Sequence, residues 1–178
     1  MTDHHPSPPK LSAARLPDKP QRDAASFLAL APEGPLLGID PGRKRIGIAA
    51  SDASRIIASP VGILVRKRWR DDLAHLRNLV ETRGITGIVL GLPLNMDGSE
   101  GPRARSAWQT GINLQTGLGL PVLMCDERLS TFEAGEIIAE NEDRGRHGKH
   151  WIDAVAASVI LRDALDALRR TEGPTGPG

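Results

Sequence analysis

The chain has 178 residues, enough for one domain with a sizeable core. Its 23 Lys and Arg against 22 Asp and Glu leave a net charge of +1 and a pI near 8.0. That excludes a strongly basic nucleic-acid binder by bulk charge, so contacts to polyanions must come from local clusters.

Residues 1–34 are rich in Pro, Ala, Asp and Lys and show no sustained periodicity apart from Ser26-Phe27-Leu28-Ala29-Leu30. This composition predicts a disordered tail, with a short turn docking near Phe27. The tail starts with polar, His- and Pro-rich sequence and has no apolar segment of the secretory kind, so it does not read as a secretory signal. Residues 172–178 form a second, Gly/Pro-rich tail, which leaves a folded body over 35–171.

In that body three apolar runs, Leu36–Asp40, Arg45–Ser51 and Ile57–Val65, are joined by short turns, as in an antiparallel meander. Trp69–Arg83 places Leu73, Leu76, Leu79 and Val80 at helical spacing and stops at Gly84. Gly87–Leu90 reads as a strand and leads into the loop Gly91–Gly98, either an ordinary strand-to-helix connection or a loop whose amides meet a phosphate. A helix is predicted from Ser99 to Gly117, with Pro102 near its start. Val122–Asp126 is a strand. Ser130–Glu140 is a helix opened by a capping box, Ser130-Thr131-Phe132-Glu133. The last helix spans Ile152–Arg170. The resulting βββαβαβα order predicts an α/β fold with a five-stranded mixed sheet flanked by helices. No apolar run approaches 18 residues, so no membrane span is expected.

Cys125 is the single cysteine and lies in the apolar run Val122–Cys125. It reads as a small core residue in a reducing compartment. No CxxC or HxxxH spacing supports a Cys/His zinc site. With two Phe, three Trp and no Tyr, a stacking platform for single-stranded bases is not expected. His147 and His150 read as solvated loop residues.

Three acidic positions stand out. Asp40 ends the first strand and is followed by Pro41-Gly42. Glu127 ends the last strand, with Asp126 beside it as a supporting residue or substitute ligand. Asp153 opens the final helix. Taken alone, Asp40 is either a hairpin-turn residue or a rigidly mounted charge. Asp153 is more telling. On a helical wheel it falls among Ala156, Ala157, Ile160, Ala164 and Leu168, so it points to the sheet, where an unpaired carboxylate is costly. Ligand sites in parallel sheets gather at the carboxyl ends of strands. Carboxylates converging there suit hard cations, Mg²⁺ or Mn²⁺, and a site of that kind can hydrolyse phosphodiesters. Basic residues cluster at Arg43/Lys44/Arg45, Arg66/Lys67/Arg68/Arg70, Arg103/Arg105 and Arg144/Arg146/Lys149. Each alone is an ordinary solvated patch, but four beside loops point to a phosphate-backbone footprint.

Four segments in order carry a resemblance. They are Gly38–Gly42 with Lys44–Ala49, the stretch Gly91–Pro102, Asp126–Thr131, and Asp153 with Ala156-Ala157 and Ile160-Leu161. Over about 36–165 the chain resembles the YqgF/RuvX family of Holliday junction resolvase-like, ribonuclease H-fold nucleases. The resemblance implies a ribonuclease H-like sheet with an acidic triad for divalent metal at Asp40, Glu127 and Asp153. It implies maturation of the 5′ end of the small-subunit (16S) ribosomal RNA precursor in the bacterial cytoplasm. An older assignment for the family is resolution of four-way DNA junctions, for which a homodimer would supply the two cuts. Arg43, Lys44, Arg45, Arg128 and Lys149 are the candidate phosphate contacts. A non-enzymatic reading, a ribosome-assembly or nucleic-acid-binding module with an idle site, stays open. The N-terminal tail and the approach His150-Trp151 depart from the family pattern.

Overall fold

The computed structural model describes residues 15–128 and 148–173. A short helix α1 (Ala24–Leu30) precedes three strands, β1 (Leu36–Pro41), β2 (Arg45–Ser51) and β3 (Ala58–Val65). Helix α2 (Trp69–Arg83), strand β4 (Gly87–Leu92), helix α3 (Pro102–Leu118), strand β5 (Val122–Asp126) and helix α4 (Gly148–Glu172) complete the described elements.

The strands form one mixed sheet in the order β3-β2-β1-β4-β5. β1, β2 and β3 pair antiparallel as a meander, and β4 joins β1, and β5 joins β4, in parallel. This is the five-stranded α/β sheet expected from the order of apolar runs. The central strands are buried on both faces, and each face has its own core. Leu37, Ile39, Ile88, Leu90 and Met124 pack with Leu76 of α2 and Ala104, Ala107 and Leu114 of α3. Leu36, Val89 and Leu123 pack on the other face with Ala157, Leu161, Ala164 and Leu165 of α4.

α4 lies unusually close to the sheet because the strands beneath it carry glycines. A Cβ added at Gly38 would meet Leu161 Cβ at 2.8 Å and the Ala157 carbonyl oxygen at 3.0 Å. One added at Gly47 would overlap the backbone of Asp153. α2 and α3 end on Gly84 and Gly119, both in the left-handed conformation that a side chain disfavours.

β1, β3 and β4 differ by one or two residues from the runs read off the sequence, and larger differences fall elsewhere. α3 begins at Pro102 rather than Ser99, because Asp97 Oδ1 accepts from the backbone N–H and hydroxyl of Ser99 and holds that residue in a turn. Among the described residues α4 already runs from Gly148, ahead of the expected Ile152. Asp153 therefore lies more than one turn inside the helix rather than opening it, and capping of the helix amides does not explain that residue. The predicted helix Ser130–Glu140 lies outside the described residues.

A further difference is the segment before β1, whose composition suggested a disordered tail; its part from 15 to 34 is placed against the body. Asp23 caps α1 by accepting from the Ser26 N–H at 2.8 Å, and Phe27 is fully buried. Gln21 donates its backbone N–H to Val122 O at 2.7 Å and accepts from Met124 N–H at 2.8 Å. The Gln115 amide donates to Pro17 O. Arg22 pairs with Glu100 and stacks over the Trp108 ring at 4.8 Å. The physical reason is the open edge of β5. An unpaired strand edge recruits backbone partners, and a few anchors suffice in a segment poor in apolar residues. Among the described residues no helix is long and apolar enough to cross a membrane.

Candidate active site

The carboxyl ends of β1, β4 and β5 bring the acidic positions to one level on the α4 face of the sheet. Asp40 pairs in register with Gly47 of β2, so both residues face α4, and Asp153 lies over Gly47. On the other side of Asp40, β4 runs parallel with Ile39 opposite Leu90. The next residue, Gly91, leaves room that the Glu127 carboxylate occupies, for a Cβ there would overlap Glu127 Oε1. Two glycines thus flank Asp40 and admit the other two acidic residues. Glu127 is aligned by its own N–H, which donates to Leu92 O at 3.2 Å.

The electrostatics register this convergence. Burial raises Asp40 to about 6, the Asp153 charge adds to the rise, and the Arg103 charge opposes it. Burial raises Glu127 to about 7; Asp40 and Asp126 add to it, and Arg103 again opposes it. The two carboxyls are therefore desolvated and mutually repelling, an arrangement common where protons or cations are handled.

Asp153 is turned to a different partner. Arg45 Nε donates to Asp153 Oδ2 at 2.7 Å. Arg45, expected to contact phosphate, is bound to a carboxylate here. Arg128 is likewise held, by both oxygens of Asp126, with Nη2 2.7 Å from Oδ2, which keeps the Asp126 carboxyl below its usual range. Arg43 and Lys44 are exposed at the β1–β2 turn. The side chain of Lys149 lies outside the described residues. The Cys125 thiol is half-buried, faces Ile160 O at 3.8 Å and is pushed up to about 12 by burial, as suits a packing residue.

Arg103 is the residue that sequence reading passed over. It was visible only as half of the Arg103/Arg105 cluster. Its position in the first turn of α3, which contains no acidic residue, is against the usual preference for negative charge at a helix start, and that was the available signal. It acts on Asp40 and Glu127 together because the loop after β4 returns α3 to the same end of the sheet.

Among the described residues no group of three or more His, Cys, Asp or Glu side chains is arranged to hold a metal ion as it stands. The donor chemistry nevertheless fits a hard divalent cation: all donors are carboxylate oxygens, and two of them are held together against their own repulsion.

A mixed α/β sheet with desolvated carboxylates at the carboxyl ends of β1 and β5 defines the class of this protein. The sequence pattern of the RuvX family, described as Holliday junction resolvase, matches residues 34–167. The chain belongs to that family. It is 46% identical over 143 residues, 80% of this chain and 89% of the relative, to a Cereibacter sphaeroides protein named "Putative pre-16S rRNA nuclease". It is 44% identical over 147 residues, 81% of this chain and 93% of the relative, to a Paracoccus denitrificans protein of the same name. The solved structure titled "T. thermophilus RuvC in complex with Holliday junction substrate" overlaps with a TM-score of 0.49 and 13% identity, covering 79% of this chain and 97% of that chain.

Proposed function

We propose that this chain is a metal-dependent endonuclease of the bacterial cytoplasm that matures the 5′ end of the 16S ribosomal RNA precursor. The observation that carries the reading is the Asp40–Glu127 pair, two half-buried carboxyls brought together at the strand ends beside Gly91 and raised to about 6 and about 7. The names of the relatives support ribosomal precursor RNA as the substrate.

Asp40, Glu127 and Asp153 would hold Mg²⁺ or Mn²⁺. The cation, when bound, supplies positive charge for the attacking water and the scissile phosphate. The chain's own residues set the frame for that chemistry. Gly47 and Gly91 let α4 and Glu127 close on Asp40. Arg45 neutralises Asp153 in the cation-free chain. Arg103 offsets the charge of Asp40 and Glu127 and stands where an incoming phosphate needs a cationic partner.

A second reading, cleavage of four-way DNA junctions, is favoured by the description of the family. Side-by-side incubation of a 5′-extended 16S precursor and a four-way junction with purified protein and Mg²⁺ or Mn²⁺ separates the two. Cleavage of the RNA at a defined 5′ position supports the first reading. Cleavage of the junction alone replaces it with the second, and cleavage of neither leaves only a binding module.

A further inference from the structure

Two basic clusters far apart in sequence meet beside the carboxylates. The β1–β2 turn presents Arg43 and Lys44, both exposed, and the β3–α2 junction presents Arg66, Lys67, Arg68 and Arg70, also exposed. The antiparallel register sets Arg45 opposite Val65, so the end of β3 returns to the start of β2. Arg66 donates its backbone N–H to Lys44 O at 3.0 Å, and its Nη1 donates to Gly42 O at 3.1 Å. The junction is also fixed from behind, where buried Asp72 accepts from the Lys67 N–H at 3.0 Å. The backbone that carries these cations is therefore held in place.

None of Arg43, Lys44, Arg66, Lys67, Arg68 and Arg70 makes an ion pair with another described residue. Asp71 is the neighbouring exposed acid, in the first turn of α2. In a chain of net charge +1, such a concentration on one shoulder creates a local positive field. The ridge starts just beyond Asp40 and extends across two strand spacings, about 10 Å, to the β3 edge. At about 3.4 Å of rise per nucleotide, that is the reach of about three backbone phosphates. Arg103 lies on the other flank of the carboxylates, toward β4 and β5.

We propose that the β1–β2 turn and the β3–α2 junction form one phosphate-binding ridge, which grips the sugar–phosphate backbone of the nucleic acid to one side of the bond that is cut. Its placement beside the cut rests on the nuclease reading of Asp40 and Glu127; the binding does not. RNA and DNA both present this chemistry, so the test uses both.

The experiment measures affinity against salt for full-length Asp40→Asn protein, with a labelled RNA hairpin and a labelled four-way DNA junction. Arg43→Gln, Lys67→Gln and Arg68→Gln are combined, leaving Arg45 and Arg66 in their structural contacts. Lys19→Gln, Arg83→Gln and Arg170→Gln, combined, remove three exposed cations elsewhere. The ridge variant is expected to lower the slope of log affinity against log salt by about one per cation removed. It should weaken binding at ~0.1 M salt on the order of tenfold, with its melting temperature unchanged. In the cleaving background it should raise KM with kcat retained. An unchanged slope, an equal loss in the control variant, or binding of neither nucleic acid by the parent overturns the ridge. A wild type that binds through the ridge yet cuts nothing refutes the nuclease reading instead.

Discussion

Replacing Asp40 by Asn should stabilise the cation-free fold while abolishing cleavage. Asp40 is raised from 3.8 to about 6, first by burial and then by Asp153. Because its folded value is above its unfolded value, its stabilising contribution is fully present below about pH 3.8 and is lost as pH rises through about 6. The shift of about two pH units corresponds to about 3 kcal/mol at pH 8 as an upper figure. Water access to the half-buried carboxyl and its interaction with Glu127 reduce this to about 1–2 kcal/mol. For a chain of this length that is a rise of about 2–8 °C in Tm. The assay is thermal melting in EDTA from pH 4 to pH 8. The variant should melt above wild type at pH 8, and the gap should close toward pH 4. Adding Mg²⁺ or Mn²⁺ at pH 8 should raise the wild type and leave the variant nearly unmoved. A variant that melts at or below wild type at pH 8, or a gap independent of pH, would refute the reasoning.

The two glycines beside Asp40 should respond differently to alanine. Gly47→Ala forces the α4 backbone at Asp153 away and should cost about 1–3 kcal/mol, read as a lower denaturation midpoint. Gly91→Ala meets two side-chain ends, the Glu127 carboxylate and Ile160 Cδ1 at 3.0 Å, and no backbone, so cleavage should fall on the order of tenfold or more with a smaller loss of Tm than Gly47→Ala. Arg103→Gln removes the charge that opposes the rise at Asp40 and Glu127; the pH dependence of melting in EDTA should move to higher pH, and cleavage should weaken. Deleting residues 1–22 uncovers the β5 edge and removes the Gln21 pairs with Val122 and Met124; chemical denaturation should show a loss of about 1–3 kcal/mol.

The strands were legible because each is a short apolar run bounded by turn residues, and β2, α2 and β5 fall where the pattern puts them. The convergence of Asp40 and Glu127 followed from strand ends and topology, which local sequence does carry. The pairing of Arg45 with Asp153 was not legible. It depends on how closely α4 lies on Gly47, a distance that no helical wheel contains. Arg103 was missed for a related reason: its loop returns to the site only after the chain is folded. The placement of residues 15–34 escaped a composition argument because three anchors, Pro20, Phe27 and Ala31, are too sparse to give a period.

The central claim is that Asp40 and its two carboxylate neighbours cut a phosphodiester bond in ribosomal precursor RNA. The most direct test maps the 5′ end of a 16S precursor after incubation with wild type or Asp40→Asn, each with Mg²⁺ or Mn²⁺ and with EDTA. A defined new 5′ end is expected with wild type and cation, and none with the variant or in EDTA. Cleavage by Asp40→Asn equal to wild type would contradict the claim.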